Sequence, residues 1–144
     1  MKRLLSVLLC MALVFGCATL VSAATSFDEV KEPPIQVRTA YTNSFKTLIS
    51  ISGGQATCVG SLTGYQGTTT KVEITLTLQR KLASSSTWSD YYNHPKQTFN
   101  TYCGTASFSK AVVSGYQYRT KAVYTAYAGT KYETFTEYSG AMAY

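Results

Sequence analysis

Apolar and polar residues alternate along most of the chain, with the period of two that is typical of a half-buried β-strand. The clearest example is the segment 71–81, where four apolar residues occupy every second position: Val72, Ile74, Leu76 and Leu78. Lys, Glu, Thr and Gln fill the positions between them. The pattern predicts a strand with one face in a core and the other in water.

The same alternation predicts further strands, separated by turns rich in Gly, Ser and Asn: 35–41, 45–52, 56–62, 87–92, 97–108, 116–127 and 131–139. A turn or bulge is expected at Asn43-Ser44, and a break is possible at Gly104. No stretch combines a helical period with helix caps. The predicted fold is all-β: one antiparallel β-sandwich of 7–8 strands, with a small barrel as the alternative.

Two details favour an immunoglobulin-like or fibronectin III-like sandwich. The order Cys58, Trp88, Cys103 is that of an immunoglobulin-type core, although the spacing between the cysteines is short. Tyr118 follows the turn Ser114-Gly115 near the start of a long predicted strand. We predict that its hydroxyl bonds back to the preceding chain and fixes that corner.

The N-terminus has the pattern of a secretory signal. Lys2 and Arg3 precede an apolar run, and small residues lead up to Ala23-Ala24. We predict a signal helix in a signal peptide (1–23), a flexible leader (24–34) and a β-sandwich domain (35–144). The open alternatives are an uncleaved membrane anchor and a lipoprotein modified at Cys17. After cleavage no membrane span is expected, and the protein is predicted to be secreted, with surface association allowed.

The charge pattern does not indicate nucleic-acid binding. Removal of residues 1–23 takes away Lys2 and Arg3 and lowers the net charge from +6 to +4. The remaining Lys and Arg are scattered, with no basic run.

Cleavage would leave two cysteines, Cys58 and Cys103, and an even pair in an exported chain predicts a disulfide between them. A metal site or a redox pair is the alternative. The sequence holds one histidine, His94, and no Cys-x-x-Cys, so we predict neither a metal site nor a cofactor.

Catalytic patterns are also missing from the sequence. A Ser or Cys nucleophile needs a neighbouring His, and His94 falls in a turn before Pro95. Glu133 and Glu137 share one strand face but lie about 13 Å apart, too far for a glycosidase pair. We predict that the protein is not an enzyme.

Aromatic residues supply the candidate binding site: Trp88, Tyr91 and Tyr92, with His94 beside them. Neighbouring residues of a strand point to opposite faces, so one of the two tyrosines is expected to be exposed. A second group lies on the final predicted hairpin: Tyr124, Tyr127, Tyr132 and Tyr138. Two functions follow, docking of an extracellular protein or binding of a carbohydrate such as a cell-wall glycan through Trp88, Tyr91 and Tyr92.

Four segments together resemble a family of small exported β-proteins of Gram-positive bacteria to which no activity is assigned: Gln55–Cys58, Leu76–Arg80, Trp88 and Gly115–Arg119. The resemblance covers most of the chain beyond residue 23. It implies an exported bacterial β-domain and transfers no catalytic or ligand-binding residue.

The signal prediction is tested at the N-terminus of the protein recovered after export from a secreting host. Cleavage after Ala23 or Ala24 places the first residue at Ala24 or Thr25, because both sites satisfy the small-residue rule. Edman sequencing or intact mass measures this. A first residue of Met1 indicates the retained anchor, and one of Cys17 indicates the lipoprotein.

Overall fold

The computed structural model describes residues 39–144, and this part of the chain forms β-strands and no helix. The predicted signal helix and leader lie outside the described residues. The strands are β1 (Thr42–Ser52), β2 (Gln55–Gly64), β3 (Lys71–Leu82), β4 (Ser89–Asn93), β5 (Gln97–Phe99), β6 (Cys103–Ala111), β7 (Tyr116–Ala128), β8 (Lys131–Tyr138) and β9 (Met142–Ala143).

These strands form two antiparallel sheets that pack face to face. The small sheet has the order β1-β2-β6. The large sheet has the order β4-β3-β7-β8, with β5 on β3 and β9 on β7. The predicted all-β sandwich is confirmed. The short strands β5 and β9 were not predicted as separate strands.

The pairing of β3 with β7 forms the centre of the large sheet. Val72, Ile74, Leu76 and Leu78 are completely buried, which confirms the predicted face of this strand. Opposite them on β7, the even-numbered positions from Tyr118 to Ala126 are buried as well. Both strands therefore turn their even-numbered side chains toward the core and their odd-numbered side chains toward the opposite face of the sheet.

The predicted tyrosine corner is confirmed. Tyr118 is completely buried, and its hydroxyl donates to the Val113 carbonyl over 2.9 Å. The same oxygen accepts the Val113 N–H over 3.0 Å. One side chain therefore satisfies both backbone groups of Val113 where the chain passes from β6 to β7.

Hydroxyl groups of β7 join the large sheet to β1. The Tyr124 hydroxyl donates to the Lys46 carbonyl (2.9 Å) and lies 2.7 Å from the Thr47 hydroxyl. The Thr120 hydroxyl donates to the Leu48 carbonyl over 2.9 Å. Burial, only partly offset by the hydrogen bond with Thr47, raises the pKa of Tyr124 to about 12.

Gly60 provides the space for Tyr124. A Cβ at position 60 would lie 2.7 Å from Leu76 Cδ2 and 2.9 Å from the Tyr124 hydroxyl. Both distances are shorter than van der Waals contact allows, so a side chain here would displace the tyrosine that joins the two sheets.

The chain enters the domain differently from the prediction. Thr39–Tyr41 are not in a strand, and residues 35–38 lie outside the described part. The N–H groups of Ala40 and Tyr41 instead donate to the two carboxylate oxygens of Glu133, over 2.8 and 3.0 Å. The expected bulge is confirmed, because the pairing with β2 shifts between Thr42 and Ser44.

The predicted strand 97–108 is two strands in two sheets. β5 pairs with β3, whereas β6 pairs with β2. The chain crosses between the sheets at residues 100–102, before the break that was considered at Gly104. The ring of Phe99 packs over Gly104 and fills the space that a side chain at position 104 would need.

The predicted disulfide is wrong, since Cys58 and Cys103 are both free thiols. In the register of β2 with β6, Cys103 lies opposite Thr63, five positions from Cys58. That offset is about 17 Å of strand, whereas a disulfide requires Cα atoms within roughly 7 Å. Cys58 also points into the core, and Cys103 shares the outward parity of Thr63.

This geometry predicts that reductant leaves the melting temperature unchanged. Iodoacetamide should label Cys103 in the folded protein and Cys58 only after unfolding. Burial raises the pKa of the Cys58 thiol, which keeps it protonated as well as inaccessible. Peptide mass mapping separates the two sites. A reductant-sensitive melting temperature, or an intact mass lower by two hydrogen atoms, would contradict the free-thiol arrangement.

The Tyr124 hydroxyl predicts a loss of stability at high pH. Its pKa is about 12 in the folded protein and about 10 in the unfolded chain, so its contribution is complete below pH 10 and declines as pH rises through about 12. Tyr124→Phe should cost about 0.5–1.5 kcal/mol at neutral pH by removing the hydrogen bonds to the Lys46 carbonyl and the Thr47 hydroxyl, and should flatten the alkaline decline. Urea unfolding between pH 7 and 12 measures both, with the exposed Tyr132→Phe as control. An equal alkaline decline in both variants would contradict this role.

Candidate functional site

The outer face of the large sheet carries the most developed arrangement of polar and aromatic side chains. On β3 and β7 the odd-numbered residues occupy this face, away from the small sheet. The register places Gln79 opposite Arg119 and Thr77 opposite Lys121. On β8, Tyr138 lies opposite Lys121 on the same face.

Arg119 lies between two aromatic rings. Its guanidinium carbon is 4.3 Å from the ring centre of Trp88 and 4.1 Å from that of Tyr138. One ring comes from the β4 side of β7 and the other from the β8 side. Both distances are those of cation–π contacts. We call these three residues the Arg119 stack.

Hydrogen bonds orient the guanidinium within the stack. Arg119 Nε donates to Gln79 Oε1 over 2.8 Å. The Gln79 amide in turn donates from Nε2 to Asp90 Oδ1 over 2.7 Å. Gln79 is 7% exposed although it belongs to the outer face, so the stack covers it. The chain of bonds holds Arg119 through its Nε edge and leaves its terminal nitrogens available.

The charge of Arg119 has no carboxylate partner among residues 39–144. Both ion pairs found in this part of the chain belong to Glu73. Lys81 adds a second cation, with Nζ 5.4 Å from the Trp88 ring centre. The site therefore presents positive charge next to aromatic surface, with Tyr138 47% exposed.

The opposite end of the same face is electrostatically satisfied. Glu73 accepts from Lys71, Lys96 and the Tyr127 hydroxyl, each over 3.0 Å. Burial opposes ionisation of Glu73, but these three donors hold the pKa of its carboxyl below its ordinary value. Lys71 also lies 3.7 Å from the ring centre of Tyr127. This cation–π contact resembles the Arg119 stack, except that its cation is paired.

Of the predicted ligand-contact residues, Trp88 alone belongs to the stack. It is half-buried beside Arg119, outside the core, so no immunoglobulin-type Cys58–Trp88–Cys103 core forms.

The expectation that Tyr91 and Tyr92 point to opposite faces is wrong. Tyr91 packs edge-on against Tyr118, and Tyr92 packs against Phe108. Both tyrosines border the same core cluster. The reason is a bulge between Leu78 and Gln79 in the pairing of β3 with β4, which interrupts the alternation of side chains between the two faces of the sheet.

His94 also takes part in packing. Its ring stacks on Phe108 with centroids 4.9 Å apart, and its Nε2 lies 3.0 Å from Nε2 of Gln97. The backbone N–H of His94 donates to the Leu76 carbonyl over 2.9 Å. These contacts place the histidine between the sheets and apart from the Arg119 stack.

The second aromatic group of the sequence is divided by the structure. Tyr124 is in the core, whereas Tyr127 and Tyr132 pack together on the outer face with ring centres 5.6 Å apart. Tyr138 joins the Arg119 stack.

Arg119 was not predicted to belong to a site, because in the sequence it is only the last residue of the segment Gly115–Arg119. Strand parity could have indicated it, since Arg119 follows the buried Tyr118 on β7. Its contacts with Trp88 and Tyr138 depend on the sheet order.

Within residues 39–144, no group of three His, Cys, Asp or Glu side chains has the geometry to hold a metal ion. The same residues contain no helix that is long and apolar enough to span a membrane.

No protein-family model matches the chain, and no curated protein matches its sequence. Membership of a Gram-positive exported family therefore stays a prediction. Among solved structures the chain is similar to three bacterial proteins.

CsgH of R. palustris is 14% identical, with a TM-score of 0.37 over 67% of this chain and 87% of CsgH. The curli protein CsgC of E. coli is 16% identical, with a TM-score of 0.34 over 66% of this chain and 95% of CsgC. The sporulation control protein Spo0M of Bacillus subtilis is 8% identical, with a TM-score of 0.36 over 72% of this chain and 51% of Spo0M. At these TM-scores the likenesses carry no conclusion about function.

Proposed function

We propose that this protein is an exported, non-catalytic binding module that docks an acidic extracellular protein on the Arg119 stack. The observation that carries the proposal is a guanidinium held between Trp88 and Tyr138 with no carboxylate partner in residues 39–144. Arg, Trp and Tyr are the residues that most often dominate binding energy at protein interfaces.

Preorganisation supports this function. The two rings and Gln79 already restrict the Arg119 side chain, so binding loses less side-chain entropy than it would with a free arginine. The terminal nitrogens match the geometry of a carboxylate, which accepts two parallel N–H bonds from arginine. An Asp or Glu of a partner would supply the missing charge.

Other observations support the non-catalytic part of the proposal. The carboxylate of Glu133 binds two backbone N–H groups, and that of Glu73 binds two lysines. His94 is engaged in stacking and with Gln97. Each of these residues thus already has a structural role. The glycan alternative is weakened, because Tyr91 and Tyr92 pack against the core and do not form one exposed platform with Trp88 on the outer face.

Arg119→Ala tests the proposal, with Lys71→Ala as its matched control. Both remove one positive charge from the same face, together with the two cation–π contacts of Arg119 or the one of Lys71, but Lys71 already has Glu73. The probe is immobilised poly-L-glutamate in biolayer interferometry. We expect Arg119→Ala to weaken binding about tenfold, equivalent to about 1.4 kcal/mol, and Lys71→Ala by about twofold or less. Arg119→Lys should not restore binding, since an ammonium lacks the planar fork.

Melting temperatures of the variants control for folding, because an exposed cation–π contact contributes only about 0.5–1 kcal/mol. Equal loss of binding in both alanine variants would overturn the proposal by showing that net charge alone is sensed. Polygalacturonate supplies the same carboxylates on a sugar. Tighter, Arg119-dependent binding to polygalacturonate would assign the site to a glycan instead.

A further inference from the structure

Exposed apolar side chains gather at one end of the sandwich. Half of the large apolar residues that are exposed in the described part of the chain lie there: Leu82, Val113, Met142 and Tyr144. We call these four residues the apolar tip. Single exposed apolar residues are common on protein surfaces, whereas a group of them indicates a surface that binds something.

Strand pairing brings the members of the tip together. Leu82 is the last residue of β3 and lies opposite Tyr116, the first residue of β7. The Tyr144 N–H donates to the Tyr116 carbonyl over 3.0 Å. Met142, in the same final segment, lies opposite Tyr118 on β7. Three separate parts of the chain thus end side by side, because Val113 belongs to the connection that leads into β7.

The backbone at the tip is hydrogen-bonded even where the side chains are exposed. Both backbone groups of Val113 are bonded to the Tyr118 hydroxyl. The Leu82 carbonyl accepts the Ser85 N–H over 3.0 Å. Backbone groups that enter hydrocarbon need partners within the protein, because lipid chains offer none. These groups of the tip meet that requirement.

Positive charge borders the tip. The Arg80 guanidinium carbon lies 4.3 Å from the ring centre of Tyr91 and 4.6 Å from that of Tyr116. Lys81 and Lys110 likewise lie over aromatic rings. Long cationic side chains with an apolar stem, and tyrosines with a polar end, suit the boundary between water and lipid.

The three cations have no carboxylate partner within residues 39–144. Both ion pairs found there belong to Glu73. Asp90 also lies at this end, opposite Gln79 on β3, and its Oδ1 already accepts from the Gln79 amide. The end that carries the apolar tip is therefore positively charged even without Arg119.

We propose that the apolar tip inserts into the surface of an anionic phospholipid membrane, with Arg80, Lys81 and Lys110 against the lipid phosphates. Buried apolar area and attraction to anionic headgroups are the two contributions that hold a protein at a membrane interface. The tip provides the first and the three cations provide the second. Since its side chains come from separate connections and strand ends, they form no row on one strand face. A fluid lipid surface adapts to such side chains, whereas a protein partner would need a matching set of pockets.

This inference goes beyond the docking function. The Arg119 stack lies on the outer face of the large sheet, whereas Arg80 and Lys110 have the inward parity of β3 and β6. Of the three cations, Lys81 alone adjoins the stack, through the ring of Trp88. Membrane contact and docking therefore depend largely on different side chains.

Vesicle flotation tests the membrane contact with protein recovered from the medium of a secreting host. The probes are vesicles of phosphatidylcholine with about 30% phosphatidylglycerol, and vesicles of phosphatidylcholine alone. Wild type should partition onto the anionic vesicles at least about tenfold more strongly, since each cation near an anionic surface contributes about fivefold. Equal partitioning onto both, or no flotation of wild type with the anionic vesicles, overturns the proposal.

Matched variants test the apolar contribution. Leu82→Ser should weaken partitioning about fivefold, because lipid covers the exposed half of this side chain. Leu48→Ser is the control and should bind like wild type. Leu48 is 44% exposed against 50% for Leu82, but it lies in the middle of β1 on the small sheet. Equal partitioning of the two serine variants contradicts insertion of the tip.

A second pair tests the charges and remains informative if Leu82→Ser lowers the melting temperature. Lys110→Ala should weaken partitioning about fivefold, and Lys131→Ala, in the exposed turn between β7 and β8, by less than about twofold. Equal losses would show that net charge alone is sensed and would overturn the proposal.

Poly-L-glutamate separates this proposal from the docking function. Leu82→Ser should keep its Arg119-dependent binding to the polymer. A wild type that binds the polymer but no vesicles refutes the membrane contact alone, and the reverse result refutes the docking function alone. If Leu82→Ser weakens binding to the polymer as much as binding to vesicles, the tip belongs to the protein-docking surface and the membrane proposal fails.

Discussion

The register of β3 against β7 is the constraint on which the rest of the structure depends. It buries Ile74 opposite Tyr124 and Leu76 opposite Ala122, and on the other face it sets Gln79 opposite Arg119. A slip of one residue would exchange the two faces and expose the whole core. The hydrophobic interaction that stabilises the sandwich therefore also positions the candidate docking site. Arg119 and Gln79 consequently stand on the two central strands, whereas Trp88 comes from the connection between β3 and β4 and Tyr138 from the end of β8.

Where the two sheets are in contact, a large side chain of one sheet packs against a glycine of the other. Tyr124 crosses the interior and donates its hydroxyl to the Lys46 carbonyl, and it fits because position 60 on β2 is a glycine. Phe99 similarly covers Gly104. A tyrosine in the core must find a hydrogen-bond partner, since an unpaired buried hydroxyl is costly. Here that requirement also joins the two sheets, so one side chain contributes both to packing and to polar satisfaction.

The candidate site was accessible to sequence reasoning only in part. Trp88 was identified because it is the single tryptophan amid tyrosines, and the face of β3 followed from its alternation. Tyr91 and Tyr92 were misassigned, because the bulge beside Leu78 removes the alternation on which the argument rested. Arg119 could not be recognised, since its aromatic neighbours come from distant parts of the chain. Their meeting requires β4, β3, β7 and β8 to lie side by side.

The sequence by itself determined the all-β class, the buried face of the central strand and the tyrosine corner at Tyr118, because these depend on short periods and local turns. Only the tertiary structure decided the state of the cysteines and the composition of the aromatic site. Cys58 and Cys103 look like a pair on counting alone, but the register of β2 with β6 separates them and turns them to opposite sides. Register and strand order arise from the packing of the whole chain, and no local pattern encodes them.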